Sequence, residues 1–537
     1  MNFLLVLPIL LPLLTAATCL LVRRSRRAQR AVALVGSSGL LIVGIMLVST
    51  VMRQDVIAVQ ISGWIAPFGI TLIADRLSAA MIAITGVVAL CTIVYSIGSI
   101  DRRREFFSFY PLVFTLLMGV CGSFLTGDIF DLYVWFEVML MSSFVLLTLG
   151  GERGQLEGSI KYVTLNLLSS AIFLTALGLL YGLVGTLNMA HLALRIENVP
   201  PEQQGMISAV GMLLLVAFGI KAGIFPLFFW LPASYHTPPA AVSALFAALL
   251  TKVGVYSIFR IYTLIFVTDV MHTHVLLLWA SGSTMLVGVL GALIQRELRR
   301  TLSFLIISHI GFMLIGVGLL SILGSTRWAE LPSDSLRRGA VLLGLAGAIF
   351  YLFHHIVVKS ALFFLAGVIE RLEGTDRLGE LGGFATRHGA LAVLFFVPAF
   401  ALAGIPPLSG FVAKYALVSA SIRADQGVLA GVALVAGLLI LLVMARVWVL
   451  IFWGEPKEQS DTARRRSDVV RLPLMIGPPI ALAVISVAMG LFAGQVFRYA
   501  ERAAEQLLDP SAYISAVSSG DTNVMHDELR GTDRGTP

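Results

Sequence analysis

The stretch Gly219-Ile-Lys-Ala-Gly-Ile-Phe-Pro-Leu-Phe-Phe-Trp-Leu-Pro232 decides how the chain is read. It lies inside a long apolar run and sets Lys221 five residues before Pro226. Proline removes a backbone donor and clashes with the preceding turn, so a helix through this stretch must break. Broken backbone at membrane depth survives only where protein or water satisfies it. A lysine beside such a break therefore points to a buried, hydrated interior and an ion path.

The composition agrees. Of 537 residues, 58% are hydrophobic and only 13% are charged, and the mean hydropathy is +0.90. Soluble domains carry about 25% charge. Apolar runs near twenty residues recur from end to end, each able to cross a hydrocarbon core as a helix. Transmembrane β-barrels would instead show short alternating segments. The net charge of +7 comes from arginines in short loops, with no basic face or stacking platform for nucleic acid. Cys19, Cys91 and Cys121 stand alone in apolar runs, which excludes a disulfide framework and a cysteine metal site.

The expected fold is an all-α polytopic membrane protein with about 14 transmembrane helices. The spans read as 1–22, 31–52, 71–99, 106–125, 129–149, 159–184, 205–231, 239–266, 275–294, 301–320, 339–369, 390–421, 428–453 and 472–497. The first has its positive charges after it rather than before it, so it reads as a retained helix and not a signal peptide. Loops alternate in charge. One set holds Arg23, Arg24, Arg26, Arg27, Arg30, Arg102 to Arg104, Arg153, Arg296, Arg299, Arg300, Arg371, Arg377, Arg387, Lys457 and Arg464 to Arg466. The other holds only Arg53, Arg195, Arg327, Arg337, Arg338 and Arg423 besides the tail. By the positive-inside rule the first set is cytoplasmic, which puts both termini outside. The polar end from about Ser518 reads as disordered.

A second break echoes the first: Gly404-Ile-Pro-Pro-Leu-Ser-Gly-Phe-Val-Ala-Lys414 joins Pro406 and Pro407 to another lysine, five spans later. An odd shift reverses direction across the membrane, as inverted-topology repeats do. The organisation expected is N-terminal helices in 1–105, repeats in 106–266 and 267–453, and a loop, last helix and tail in 454–537.

Charges fall at span centres: Glu137, Lys252, His309, and Lys359 after His354 and His355. An ionised group at bilayer centre costs about 2.5–3.5 kcal/mol, so these groups must pair, hydrate or give up charge. A Glu137–Lys221 pair would gate a proton, and histidines near pKa ~6.5 would relay it. The competing structural readings are salt bridges for the lysines and helix cross-links for the histidines. Asp75, Arg76, Asp128 and Asp131 sit at span ends, where snorkelling is the ordinary role. Asn166 reads as an interhelical hydrogen bond. Gly150-Gly-Glu-Arg-Gly lacks a preceding strand and a phosphate-loop lysine, so nucleotide binding is rejected.

Taken jointly, several motifs resemble the antiporter-type membrane subunits of Mrp cation/proton antiporters, respiratory NADH dehydrogenase and membrane-bound hydrogenases. They are Phe136-Glu137, Lys221 through Pro239, Leu-Leu-Thr-Lys252-Val-Gly, Ser308-His309-Ile-Gly-Phe, His355 with Lys359, and Pro406 through Lys414. Within that family the chain is most similar to the MrpD branch, through Glu137 to Gly150, Ser159-Ile-Lys-Tyr-Val and Val184 to Ala190. His354 and Asp131 depart from the family pattern, which has Asn in many relatives at the His354 position. The resemblance implies a proton-translocating subunit of a multisubunit Na⁺/H⁺ antiporter in a bacterial or archaeal cell membrane, partnered by subunits of the A, B, C, E, F and G types. It implies Glu137 with Lys221 as switch, Lys252, His309 and Lys359 as relays with His355 beside them, and Lys414 as terminal carrier. It implies no cofactor, no metal and no enzyme chemistry. The alternatives are a proton-pumping subunit of a respiratory or hydrogenase complex, a polytopic lipid-acting enzyme for which no catalytic set is present, and a non-transporting scaffold.

Overall fold

A computed structural model describes residues 2–64, 68–267, 270–324, 326, 328–455 and 472–518. The expected Lys457 and Arg464–Arg466 cluster, Arg327 and the polar tail from residue 519 lie outside the described residues. The chain is a helical bundle: α1 Asn2–Leu21, α2 Arg26–Gln54, α3 Arg76–Ser99, α4 Phe109–Leu125, α5 Ile129–Thr148, α6 Arg153–Val184, α7 Pro201–Ala222 and α8 Ala240–Leu264. It continues with α9 Val270–Leu293, α10 Leu298–Gly318, α11 Leu336–Glu373, α12 Gly389–Ala403, α13 Ser409–Arg423, α14 Gly427–Trp448 and α15 Leu472–Leu491. Twelve helices among the described residues are long and apolar enough to cross a membrane by themselves. The shorter α4 and the pair α12 and α13, two halves of one broken span, complete the fourteen crossings expected.

Burial sorts the helices. The most apolar stretch of α8 is buried throughout, and those of α10 and α11 nearly so, whereas α1, α6, α9 and α15 bury well under half of theirs. A helix that is apolar all round and buried all round belongs to the core, and the less buried helices supply the lipid-facing surface. Lys252, His309, His355 and Lys359 all sit on the three core helices.

The loops segregate into two faces. On one, Arg26 and Arg30 pair with Glu105, Arg104 with Glu152 at 3.2 Å, Arg299 with Glu370 at 3.4 Å, and Arg387 with Glu373 at 2.9 Å. The pairs of Glu105, Glu152 and Glu370 join alternate loops, as the charge pattern requires, the Glu373 pair closes a single loop, and together they define an arginine face. The opposite face carries an element the sequence reading missed. Ile57–Gln60 pairs antiparallel with Thr71–Ala74, Ile57 opposite Ala74, so Thr71 starts a strand and not the third span. β-Branched Thr71 and Ile73 favour extended backbone there. The helix waits for Asp75, whose carboxylate accepts the Ser78 amide at 2.9 Å while Ser78 Oγ accepts the Asp75 amide at 2.9 Å, a capping box.

The last span is also shorter than expected. α15 ends at Leu491, and an amphipathic helix, α16 Ala493–Leu508, follows across the hairpin face. Its Ala500, Ala503, Ala504 and Leu507 are buried, one stripe at helical spacing. Tyr499 donates to the Arg76 carbonyl at 2.7 Å, and Gln506 accepts the Arg76 amide at 3.0 Å. Beneath it, Arg260 forms a buried ion pair with Asp75, and the Tyr513 ring lies 5.0 Å from the guanidinium. Burial alone would raise the Asp75 carboxyl, but Arg260 and the Ser78 bonds outweigh it and hold the group below the usual carboxylate range. Arg260→Ala leaves Asp75 buried without its counter-charge and is expected to cost about 3–5 kcal/mol. Thermal unfolding of the purified protein in detergent measures this, and an unchanged midpoint would contradict a stabilising pair.

Candidate functional site: a buried row between two helix breaks

Both breaks are built alike. α7 ends at Gly223, with φ 79°, whose amide bonds to the carbonyls of Gly219 and Ile220; the Ile224 amide returns to Gly219 at 3.0 Å. α12 ends at Gly404, with φ 89°, whose amide bonds to Phe400 and Ala401; the Ile405 amide returns to Phe400 at 3.2 Å. This left-handed glycine termination satisfies carbonyls that a helix end leaves open. The Phe225–Pro226 and Pro406–Pro407 peptides are cis. The chain then resumes as a short turn of helix, Trp230–Ser234, and as α13. α8 can approach the first break because residue 254 is glycine: a Cβ there would lie 2.7 Å from the Ala222 amide nitrogen.

Lys221 occupies the last turn of α7, where a positive charge faces the negative end of the helix. Its amine donates to Ser170 Oγ at 3.2 Å and lies 3.9 Å from Glu137 Oε1, and the Ser170 hydroxyl bonds to the same carboxylate oxygen. The Phe136 ring centroid is 5.2 Å from the amine. Lys221 is 6% exposed and Glu137 27%, so the pair is reached from the Glu137 side. A cavity of about 20 Å³ adjoins it, lined by Lys221, Asn166, Tyr162 and Trp230. That is room for about one water. Asn166 does not bond across helices as expected. Its amide donates to the Tyr162 carbonyl of its own helix at 2.8 Å, because one turn back an acceptor is already in reach.

Lys252 is fully buried on α8 and donates to the Ala247 carbonyl and to Thr251 Oγ1 at 3.2 Å. Lys359 on α11 donates to the Leu302 carbonyl of α10 at 3.0 Å. Between them and the second break lies an aromatic cluster. The His309 and His355 rings are 5.1 Å apart, His309 stacks on Tyr351 at 5.8 Å, and Tyr351 meets His354 at 5.7 Å. His309 Nδ1 bonds to the Leu305 carbonyl, and His354 Nδ1 to Ser409 Oγ at 2.8 Å, at the start of α13. Among the described residues, His309 Nε2, both nitrogens of His355 and the Tyr351 hydroxyl have no hydrogen-bond partner. Lys414 closes the row. Its amine donates to the carbonyls of Leu402 at 3.1 Å and Ala403 at 2.8 Å, the end of α12, and sits 5.3 Å from the Phe312 centroid.

The structure thus brings Glu137 and Lys221 together, sets His309 against His355, and seats Lys414 on the carbonyls opened by its own break. Lys252 and Lys359 meet backbone carbonyls rather than carboxylates. The sequence reading missed Ser170, Tyr351 and Ser409. Only Tyr351 carried a signal, three and four residues before His354 and His355 and so on their helix face. The span-end acids have local partners: Asp128 caps α5 through the amides of Phe130 and Asp131, and Asp131 accepts Trp135 Nε1 at 2.9 Å. Burial pushes the Asp128 carboxyl up to about 6 despite those amides. Among the described residues no cluster of His, Cys, Asp and Glu could hold a metal.

Fold and row together define a polytopic helical membrane protein of the broken-helix kind, with ionisable groups lined up through its centre. The chain belongs to the NADH:quinone oxidoreductase/Mrp antiporter transmembrane family, whose pattern matches residues 126–329 and 339–440. It is 41% identical over 517 residues to the D-type subunit of the Na⁺/H⁺ antiporter of Alkalihalophilus pseudofirmus, covering 96% of this chain and 99% of that one. It is 40% identical over 518 residues to the corresponding D-type Na⁺/H⁺ antiporter subunit of Bacillus subtilis, with 96% and 99% covered. A chain in the solved Mrp complex of a Dietzia species superposes with a TM-score of 0.85 at 32% identity, covering 96% of this chain and all of that one.

Removing the hydroxyl that bridges carboxylate and amine, Ser170→Ala, is expected to cost about 1.5–3 kcal/mol, the range for hydrogen bonds to charged groups. The cost should change when Lys221→Met is already present, because the amine then no longer donates to the hydroxyl while the bond to Glu137 remains, so a double-mutant cycle of unfolding stability measures the coupling. Additive effects would contradict the bridge.

Proposed function

We propose that this chain is the proton-translocating subunit of a multisubunit Na⁺/H⁺ antiporter, a transporter subunit and not an enzyme. The observation that carries the reading is the buried row itself: Glu137, Ser170 and Lys221 at one break, Lys252 and Lys359 on the core helices, His355, His309, Tyr351 and His354 between, and Lys414 at the other break. Lipid-facing structural charges would be scattered and snorkelling; these are central, and Lys252, His309, His354, His355 and Lys359 lie on the three most buried helices. Such a row moves protons by exchange between amines, imidazoles and intervening water.

In this reading 106–266 and 267–453 are inverted repeats, supported by the matching glycine terminations at Gly223 and Gly404. The arginine face is cytoplasmic, the hairpin face and both termini lie outside, and the membrane is the cell membrane, as the charge asymmetry of the loops supports. Glu137 and Lys221 form the switch: while the carboxylate is charged the amine keeps its proton, and neutralising or withdrawing the carboxylate releases it. Protons entering from outside drive cation export. Na⁺ favours carboxylate and carbonyl oxygen, and the row is mostly lysine and histidine, so the cation travels in a partner or at an interface with the other subunits.

The test is cation-dependent dissipation of ΔpH in vesicles carrying the whole complex. Lys252→Ala and Lys359→Ala are each expected to abolish exchange while the partner subunits still co-purify. Retained exchange would make the two lysines structural.

A further inference from the structure

A single buried acid draws two loops of the arginine face into one cluster. Glu105, in a turn of helix at Arg102–Phe106, binds Arg26 and Arg30 in the first two turns of α2, the latter at 2.7 Å, and accepts the Tyr110 hydroxyl at 3.2 Å. Arg26 also donates to the Ile100 carbonyl at 3.3 Å, at the end of α3. The α1–α2 loop therefore lies against the α3–α4 loop. The cluster holds more positive charge than the fold uses. Glu105 is taken up by Arg26 and Arg30, while Asp101 and Glu152 both bind Arg104, at 2.8 and 3.2 Å. Among the described residues Arg23, Arg24, Arg27, Arg102 and Arg103 have no carboxylate partner, and all five are exposed. Helix formation does not ask for them, since Arg27 stands in the first turn of α2, where the helix dipole disfavours a positive charge.

Apolar surface borders these arginines. α1 ends in Leu20 and Leu21, the second 85% exposed, and Phe106 and Phe107 are each more than half exposed beside Arg102 and Arg103. The Arg103 guanidinium lies 5.9 Å from the Phe107 centroid. Leucine and aromatic side chains left open at the end of a span, next to arginine, occupy the depth where acyl chains meet headgroups.

We propose that this corner binds an anionic phospholipid of the leaflet on the arginine face, its phosphate held by guanidinium groups of the unpaired set and its acyl chains lying against Leu20, Leu21, Phe106 and Phe107. The proposal rests on the membrane-spanning fold and not on the proton path. A guanidinium presents parallel N–H donors that match two phosphate oxygens, which a lysine amine cannot do. Clusters of about four to eight basic side chains at the end of a span are the ordinary basis of anionic-lipid recognition. A free phosphate would answer the charge and leave the four apolar side chains uncovered; a lipid answers both. Glu105 is a positioning residue here, because it binds Arg26 and Arg30 and so brings the two loops together.

The test uses the whole complex in vesicles doped with phosphatidylglycerol or with phosphatidylcholine, each carrying a photoreactive diazirine in an acyl chain, and the labelled peptides are identified by mass. The phosphatidylglycerol probe should label residues 20–27 and 102–107 more strongly than the phosphatidylcholine probe. Arg24→Gln, Arg27→Gln and Arg103→Gln should each weaken that preference about fivefold, while the corresponding lysine variants keep more of it. Equal labelling by the two probes in wild type overturns the proposal, and that comparison stands even where a variant fails to assemble. Label displaced by excess inorganic phosphate would make the corner an ion site and overturn the lipid. No label from either probe would mean that a partner subunit covers the corner, which overturns it as well. A preference unchanged in all three glutamine variants removes the arginines from recognition.

Discussion

The structure depends on how charge is accommodated at the centre of an apolar bundle. Each ionised group there costs about 2.5–3.5 kcal/mol unless something binds it, and the chain places four lysines at that depth with one nearby carboxylate, Glu137. Among the described residues only Lys221 of these four receives a counter-charge. Lys252, Lys359 and Lys414 are seated on main-chain carbonyls: Ala247, Leu302, and Leu402 with Ala403. A carbonyl accepts a hydrogen bond from a neutral amine as well as from an ammonium, so losing a proton does not dismantle these sites. The Glu137 site is different in kind, because there the protonation state of one partner changes the energy of the other. In the proposed function one end of the row is therefore the switch and the rest the relay.

The break at Gly404 opens the seat of Lys414, whereas the carbonyls under Lys252 and Lys359 lie within continuous helices and accept a second hydrogen bond. A continuous helix spends its carbonyls on its own amides. Termination at Gly404 leaves the carbonyls of Leu402 and Ala403 for Lys414, and termination at Gly223 leaves that of Ile220 for Trp230 Nε1 at 2.8 Å. The two breaks match in backbone bonding but place their lysines on opposite sides: Lys221 two residues before its glycine, Lys414 ten residues after. The same local architecture thus serves a charge pair in one half and a carbonyl-seated amine in the other.

Much of this was legible in the sequence because membrane crossing imposes a strong length and hydropathy signal, and because Pro226, Pro407 and the central Lys, Glu and His residues violate it conspicuously. What escaped was whatever leaves no violation. Ser170 is an ordinary small residue in a span, yet it links Glu137 to Lys221. Tyr351 and Ser409 became part of the row only once α11 and α13 were packed together. The hairpin at Thr71–Ala74 was absorbed into the third span, since four apolar or β-branched residues before an N-cap look like the start of a membrane helix. α16 was cut at residue 497 because its first residues continue the apolar run of the last span without a break in hydropathy.

The most direct test of the switch is Lys221→Ala in vesicles carrying the whole complex, read as cation-dependent ΔpH dissipation with assembly checked by co-purification. The account predicts that exchange is lost while every partner subunit remains bound. Full exchange from an intact complex would contradict it and reduce the Glu137–Lys221 pair to a structural bond.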